Sequence, residues 1–505
     1  MAIKRYLYLW HRWLGIMLCL FMAVWLVSGV VMLFVGYPKL TPAEHLSRLP
    51  TLPDQGCCVE PATVLAQREK ALETLRLSTV GGEPFYIVMF SDRSIEAIRA
   101  RDGARLEVVD KTLAISSARQ FGNGAAATYE GLVQSDRWSR SRALDSDRPL
   151  HRVRIDDDQQ RLLYISSRSG EVVRDATLNE RCWNWIGAWL HWLYPLRDSR
   201  WWTDIVIYLS LAATVLTLLG QVIGLLRWRF GRPYRSGSRS PYRDFNARWH
   251  HIGGLLFGIV LFAWIFSGLM SMRPWHLFEN RSTLSIDAFR GGQFHPEQIS
   301  LPVADTLQKL HRAGLDAVEL EWRRINGATY VTGIDASGRS LILSADGDAT
   351  PQAQLPIDVL IAAARAMYPQ REIDVQYLDN YDSYYYAHAE QSLYGGYVRN
   401  LPVVRVIFDD PEQSWIYIDP RTGAIALTTD RNSRLWRWAF NLLHSWDWQP
   451  LLNAPAARKL LIITFSAGGL IISVSGIVLA WRRLRGRQRN ARTVHASAAR
   501  STTQG

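Results

Sequence analysis

Trp10-His11-Arg12-Trp13-Leu14-Gly15, followed by Trp25-Leu26-Val27-Ser28-Gly29, returns as Trp249-His250-His251-Ile252-Gly253-Gly254 and Trp264-Ile265-Phe266-Ser267-Gly268. The shared pattern, Trp-His-x-x-x-Gly and then Trp-x-x-Ser-Gly, recurs at a shift of 239 residues. Farther along, Pro149, Arg152, Asp156, Asp157, Tyr164, Gly170, Arg181, Trp183, Trp185 and His191 recur as Pro402, Arg405, Asp409, Asp410, Tyr417, Gly423, Arg434, Trp436, Trp438 and His444, all displaced by 253. Each copy offers one histidine before each of its two apolar segments. The chain reads as two tandem repeats, each built from two membrane spans and a long intervening loop.

The spans follow from hydropathy. Residues 13–36, 205–226, 252–272 and 460–481 carry no charge, and about 20 apolar residues suffice to cross a bilayer as a helix. The first span could pass for a cleaved leader, but it is long for one and its repeat at 249–272 is internal, so it reads as an anchor.

Charge sets the expected orientation. The stretch from Arg227 to Arg248 holds seven arginines and one acid, Asp244; the tail from Arg482 holds seven more and no acid; the N-terminus adds Lys4, Arg5 and Arg12. Basic segments beside spans remain in the cytoplasm. Both termini and the central loop are therefore expected inside, with the two long loops in the periplasm of a bacterial inner membrane. A pI near 9.6 raises nucleic acid as a partner, but the arginines cluster at span ends, so the lipid bilayer is the expected partner and nucleic acid is not.

The long loops are patterned. His151–Asp156 alternates and turns at Asp157-Asp158 into Leu162–Ile165; Val404–Phe408 turns at Asp410-Pro411-Glu412 into Trp415–Ile418. Such alternation, punctuated by Asp, Pro and Gly, predicts β-hairpins. Residues 356–367 read as a helix, with 61–77 as its expected counterpart. The fold class is thus a membrane protein of four transmembrane α-helices in two tandem two-helix repeats, each with a periplasmic α+β domain. The expected divisions are span 1 (1–36), outer domain 1 (37–180), an aromatic helix and span 2 (181–230), an arginine-rich loop (231–248), span 3 (249–273), outer domain 2 (274–433), an aromatic helix and span 4 (434–482) and a basic tail (483–505).

Four cysteines add little. There is no Cys-x-x-Cys-His, so a haem would be held without covalent attachment, as b-type. In an oxidising compartment a bond between Cys182 and Cys57 or Cys58 is open to the chain, as is its absence.

Several stretches together resemble the PepSY-associated transmembrane-helix family. They are the Trp-His-x-x-x-Gly span starts, Leu401-Pro-Val-Val-Arg-Val-Ile-Phe-Asp-Asp-Pro411 with Trp415-Ile-Tyr-Ile-Asp-Pro-Arg-Thr-Gly423, the run Tyr381-Asp-Ser-Tyr-Tyr-Tyr386, and Leu443-His-Ser-Trp-Asp447. The resemblance implies a PepSY-like outer fold and a bacterial inner-membrane protein linked to iron uptake, similar to ferric-siderophore reductases that carry b haems.

The histidines themselves suggest metal ligation. His11 and His250 sit at the cytoplasmic edge, and Gly15 and Gly254, four residues on, share their helix face and leave room for a flat macrocycle. Arg12 and Arg248 are candidates for the haem propionates. His251 aligns with Arg12 and is the alternative ligand. His191 and His444 precede spans 2 and 4 at the outer edge, within aromatic helices at 182–196 and 435–448. Four histidines in two pairs are what two bis-histidine haem b groups require. The competing reading makes them interfacial anchors beside their tryptophans. Gly187 maps onto Phe440, so the outer pair lacks a glycine gap common to both copies. Tyr381, Tyr384, Tyr385 and Tyr386 could meet an aromatic ligand but are expected to pack on a sheet. Asp382 and His388 match no metal-ligand spacing.

The span cores hold no acid or base, which argues against a proton-coupled transporter. No P-loop and no Gly-x-Gly-x-x-Gly is present, so electrons would come from a separate cytoplasmic donor or from quinol. The expected function is transfer of electrons across the membrane to a ferric siderophore or another ferric chelate. The alternative is a non-enzymatic module that binds peptides or partner proteins to regulate a protease or receptor. On this topology, a reporter fused at Gly103 or Gly338 reads as periplasmic and one at Gly237 as cytoplasmic; the reverse pattern at any of these positions would overturn the two-copy arrangement.

Overall fold

The computed structural model describes residues 2–54, 57–66, 70–294, 299–346, 349–392 and 394–501; the end of the basic tail, 502–505, lies outside them. The chain divides into two compact units, 1–36 with 183–279 and 434–505, and 37–182 with 280–433.

The first unit is a helical bundle. Ile3–Met32, Trp202–Arg227, Phe245–Ser271 and Pro455–Arg485 are each long and apolar enough to span a bilayer. Lipid offers backbone groups no hydrogen-bonding partner, and a continuous helix satisfies them internally. Leu18, Met22, Leu26, Ala213, Leu216, Leu261 and Ile265 form its buried core, while Leu20, Leu256, Ile259 and Leu460 are exposed in the manner of lipid-facing side chains. The chain is a membrane protein. His11 and His250 are the tenth and sixth residues of helices that begin at Ala2 and Phe245, so each helix starts before the uncharged stretch read from the sequence.

The aromatic stretches before spans 2 and 4 were expected as helices; the first is broken, and the second is helical through Ser445 but irregular. The first forms Leu178–Asn184, Ala188–His191 and Tyr194–Leu196; the second passes through a wide π turn, Trp438–Leu442, into Leu443–Ser445. Each segment turns through a left-handed residue, Leu193 (φ 51°) and Trp446 (φ 56°). These are uncommon conformations for side-chain-bearing residues, and each stops a helical turn just past its histidine.

The second unit holds fourteen strands among the described residues. They are β1 Leu72–Val80, β2 Glu83–Phe90, β3 Ile95–Arg99, β4 Ala127–Val133, β5 Leu150–Ile155, β6 Leu162–Ser166, β7 Val172–Ala176, β8 Ala317–Ile325, β9 Ala328–Asp335, β10 Ser340–Ser344, β11 Ile373–Leu378, β12 Val403–Phe408, β13 Trp415–Asp419 and β14 Ala424–Thr429. The expected hairpins are β5–β6 and β12–β13, with His151 opposite Ile165 and Val404 opposite Ile418. Each completes an antiparallel four-stranded sheet, β4-β5-β6-β7 or β11-β12-β13-β14. A helix covers each: Lys111–Phe121 buries Ala114 and Ala118 against Val153 and Leu163, and Ile357–Ala366 buries Leu360 and Ala364 against Val404 and Val406. The counterpart of the second helix is therefore Lys111–Phe121 rather than 61–77. Among the described residues of the latter stretch only Pro61–Leu65 is helical, and Leu72 already begins β1.

The two loops also share a sheet. Its order is β10-β9-β8-β1-β2-β3, and the β1–β8 pairing places Leu75 opposite Trp322 and Leu77 opposite Leu320. The core beneath it draws Leu75, Leu77 and Phe90 from the first loop and Leu307, Leu310 and Val331 from the second.

An ion-pair knot fastens this junction. Arg76 of β1 donates to Glu319 of β8 at 2.6 Å and to both oxygens of Glu171 at 3.0 Å. His45, Glu171 and Glu319 are close enough together to hold a metal, but Arg76 already supplies the neutralising charge. The bond that the sequence leaves open, from Cys182 to Cys57 or Cys58, is not made. Cys57 and Cys58 bond each other against the shared core, and Cys182 is exposed and free.

Burial pushes the Glu319 carboxyl upward, but Arg76 and His45 outweigh it and hold its pKa at about 2, against an ordinary 4.5. A depressed folded-state value stabilises above the unfolded one, so this contribution is present above about pH 4.5 and is lost as pH falls towards 2. Arg76→Ala, which strands two buried carboxylates, is expected to cost about 3–5 kcal/mol. A lower thermal midpoint at pH 7, with the gap from wild type narrowing as the solution is acidified, is the expected result.

Candidate functional site

Four histidines converge in two pairs inside the helical unit. His11 of span 1 and His250 of span 3 have ring centres 6.2 Å apart, and His191 and His444 have ring centres 6.1 Å apart. Two imidazoles on opposite sides of one metal ion, each bound through Nε2 with a bond of about 2.0 Å, place their ring centres about 6.3 Å apart. Both pairs have that spacing.

The hydrogen bonds define which nitrogen is available. His191 Nδ1 lies 3.0 Å from Ser28 Oγ, and that hydroxyl donates to the Val24 carbonyl at 2.7 Å. With the hydroxyl proton so engaged, Nδ1 is the donor and Nε2 keeps its lone pair. His444 repeats this with Ser267, 3.1 Å away, whose hydroxyl donates to Trp264. At the inner pair, His250 Nδ1 donates to the Ile472 carbonyl at 3.0 Å, and His11 Nδ1 to the Leu216 carbonyl at 3.4 Å. Carbonyls only accept, so these rings carry the same tautomer. Anchoring Nδ1 to a carbonyl or hydroxyl is the usual support for a histidine that ligates through Nε2.

Glycines admit the rings. A Cβ at Gly220 would stand 3.0 Å from His11 Cε1, and one at Gly476 would stand 3.4 Å from His250 Cε1. At the outer pair the corresponding distances are 3.5 Å for Gly29 to His191 and 4.0 Å for Gly268 to His444. The repeated Trp-x-x-Ser-Gly thus supplies both the hydroxyl and the clearance at the outer pair. Gly187 does not supply that gap: a Cβ there would meet Val31, Trp183 and Met32. Gly220 and Gly476 escape the sequence repeat: they are 256 residues apart, so the 253-residue register has slipped by three before it reaches them.

A cavity of about 440 Å³ opens beside the inner pair, lined among others by Arg12, Gly15, Gly254, Gln221, Tyr8, Tyr242 and Arg483. A Cβ at Gly254 would meet nothing within 4 Å, so the glycine does leave open space. Arg12 lines the cavity; Arg248 is exposed and is not among its lining residues, while Arg483 of span 4 is. His251 also lines the cavity. It is buried, with Nδ1 2.8 Å from Ser240 Oγ and Nε2 2.9 Å from the Gly224 carbonyl, so both its nitrogens are engaged by protein.

The depth of the two pairs can be read along span 1. The Gly476 position that faces His250 is also 3.6 Å from Cys19 Cβ, and Gly29 faces His191. Ten residues of helix separate these levels, about 15 Å at 1.5 Å per residue, or half the roughly 30 Å hydrocarbon thickness.

The tyrosine run packs as expected of a sheet, from the connection between β11 and β12. Tyr385 is buried and stacks on Tyr417 at 4.9 Å. Asp382 pairs with Arg405, and the His388 ring lies between Tyr386 and Tyr394.

No curated protein matches the chain. The family model of the PepSY-associated TM region matches residues 8–332, which takes in the first three spans, His11, His191 and His250, and the first-loop half of the shared sheet; the β12–β13 hairpin, His444 and the fourth span lie beyond the match. That is well over half of the sequence, and the chain belongs to the PepSY-associated TM family.

Proposed function

We propose that this chain is a haem b protein of the bacterial inner membrane that passes electrons from the cytoplasmic side to a ferric chelate, such as a ferric siderophore, in the periplasm. The observation that carries this reading is the duplicated imidazole pair, spaced 6.2 Å and 6.1 Å, with every Nδ1 anchored. A pair of headgroup anchors has no need of matched spacing, matched tautomers or facing glycines. Haem b supplies a one-electron couple when its iron is held by two neutral imidazoles.

The residues present fit that group. His11 and His250 would hold it at the inner level and His191 and His444 at the outer. Gly15, Gly254, Gly220 and Gly476 keep the inner level clear, and Arg12 and Arg483 at the cavity can take propionates through charge-assisted hydrogen bonds. Ser28 and Ser267 fix the outer rings and raise their basicity through the Nδ1 bond. A bilayer is too thick for one centre to serve both faces quickly, and two levels about 15 Å apart divide the crossing into shorter steps. The donor on the inner face is a separate cytoplasmic protein or quinol. On the outer face, one electron converts Fe(III) to Fe(II), whose lower charge density weakens its hold on hard oxygen ligands.

Detergent-purified protein is expected to show low-spin b-haem bands with close to two haems per chain. His11→Ala or His250→Ala should each remove about one, and Gly220→Leu, which drives a side chain into His11, should act like the first of these. Unchanged haem content in the histidine variants would return those residues to an anchoring role. Absence of haem from wild type would favour the peptide- or partner-binding alternative.

A second measurement tests direction. Dithionite-reduced protein is expected to be re-oxidised by a ferric chelate, with Fe(II) captured by a colorimetric chelator. His444→Ala should slow re-oxidation at least tenfold, while the inner site stays reducible. Wild-type protein that remains reduced with every chelate tried would end the reductase reading.

A further inference from the structure

The connection between β11 and β12 presents an aromatic face that the redox reading leaves unused. Tyr385 and Tyr386 are buried in it, but Tyr381, Tyr397 and Val398 are 37%, 61% and 50% exposed. Arg399 lies between the two groups of rings, its guanidinium carbon 5.8 Å from the Tyr385 ring centre and 5.7 Å from that of Tyr397. The Tyr381 hydroxyl donates to the Arg399 carbonyl at 2.7 Å, which ties that ring to the same segment.

Arg399 is held in an unusual way. Its Nη1 donates to the Val398 carbonyl at 3.3 Å and to the Ala426 carbonyl of β14, so one corner of the fork is pinned. Among the described residues no carboxylate lies within ion-pair distance of it. The acids nearby are committed elsewhere: Asp419 to Arg421 and Asn400, each within 3.1 Å, and Asp382 to Arg405. Burial pushes the Arg399 pKa down. A partly desolvated cation without a counter-charge is costly to keep, and the remaining edge of the fork, Nε and Nη2, has no protein partner among the described residues. That edge is the one that receives planar oxyanions in a bidentate way.

We propose that Arg399, Tyr397 and Tyr381 form a binding site for an aromatic anion of the hydroxybenzoate or catecholate class. The oxyanion supplies the missing counter-charge to Arg399, and the ring of the ligand packs against the exposed faces of Tyr397 and Tyr381. A small inorganic anion would satisfy the charge and leave the rings unused; a neutral phenol would do the reverse. The site names a chemical class for the chelate of the proposed function. It rests on that reading only for the presence of iron in the ligand.

The test uses full-length protein in detergent, titrated calorimetrically with 2,3-dihydroxybenzoate, and separately with phenol and with sulfate. Saturable binding of 2,3-dihydroxybenzoate that is at least tenfold tighter than either control is expected. Arg399→Gln and Tyr397→Ala should each weaken it by roughly tenfold or more, with Arg399→Lys intermediate. Tyr397 is the more exposed of the two, so its variant stands if Arg399→Gln misfolds. No saturable binding, or equal binding by wild type and Tyr397→Ala, overturns the proposal. The haem bands are read on the same samples. Ligand binding that depends on Tyr397 in a protein without haem would sink the redox reading alone, and haem without ligand binding would sink this site alone.

Discussion

An imidazole placed within a helical bundle must have each of its nitrogens satisfied or put to use, because hydrocarbon offers no water to do it. Much of the helical unit follows from that constraint. Serines at 28 and 267 and the carbonyls of Leu216 and Ile472 take the four Nδ1 protons, and glycines clear the space that the rings need. His251 shows the contrasting solution. With a serine on one nitrogen and a carbonyl on the other, it is a structural residue of the bundle, although it is adjacent in sequence to His250.

The duplication lets each copy be compared with the other. Span 1 meets the interfacial segment that carries His191, and span 3 meets the one that carries His444, with the same serine and glycine in each contact. The segments themselves differ, one a short helix and the other a π turn followed by a single helical turn. What is shared is where the imidazole ends up. Divergent backbones that deliver one ring to one place indicate that ring position is the constrained quantity.

Much of this was legible in the sequence because it repeats. The spans, the hairpins at β5–β6 and β12–β13, and the four histidines all follow from residues at fixed shifts. Three kinds of feature were not legible. The glycines facing the inner rings lie across a three-residue slip, so aligned copies do not reveal them. The left-handed turns at Leu193 and Trp446, which end the helical turns carrying the outer histidines, fall on residues whose identity gives no warning of them. The counterpart helix was misplaced because 61–65 begins with a proline and has apolar residues, whereas the true equivalent, Lys111–Phe121, is a weakly apolar helix capped by Asp110. Tertiary burial decides such cases, and short-range pattern does not.

The pairing of β1 with β8 has a consequence for biogenesis. β1 and its hairpin partner β2 emerge early, yet the other edge of β1 is completed by a strand made only after two further spans have been synthesised. Until then the chain outside the membrane holds a sheet with an open edge and half of its apolar core, the kind of species that associates wrongly. Contacts so distant in sequence also fold slowly. Synthesis of the second loop is therefore the committing event for the first, and a chain stalled after span 2 would leave an aggregation-prone fragment rather than a finished half.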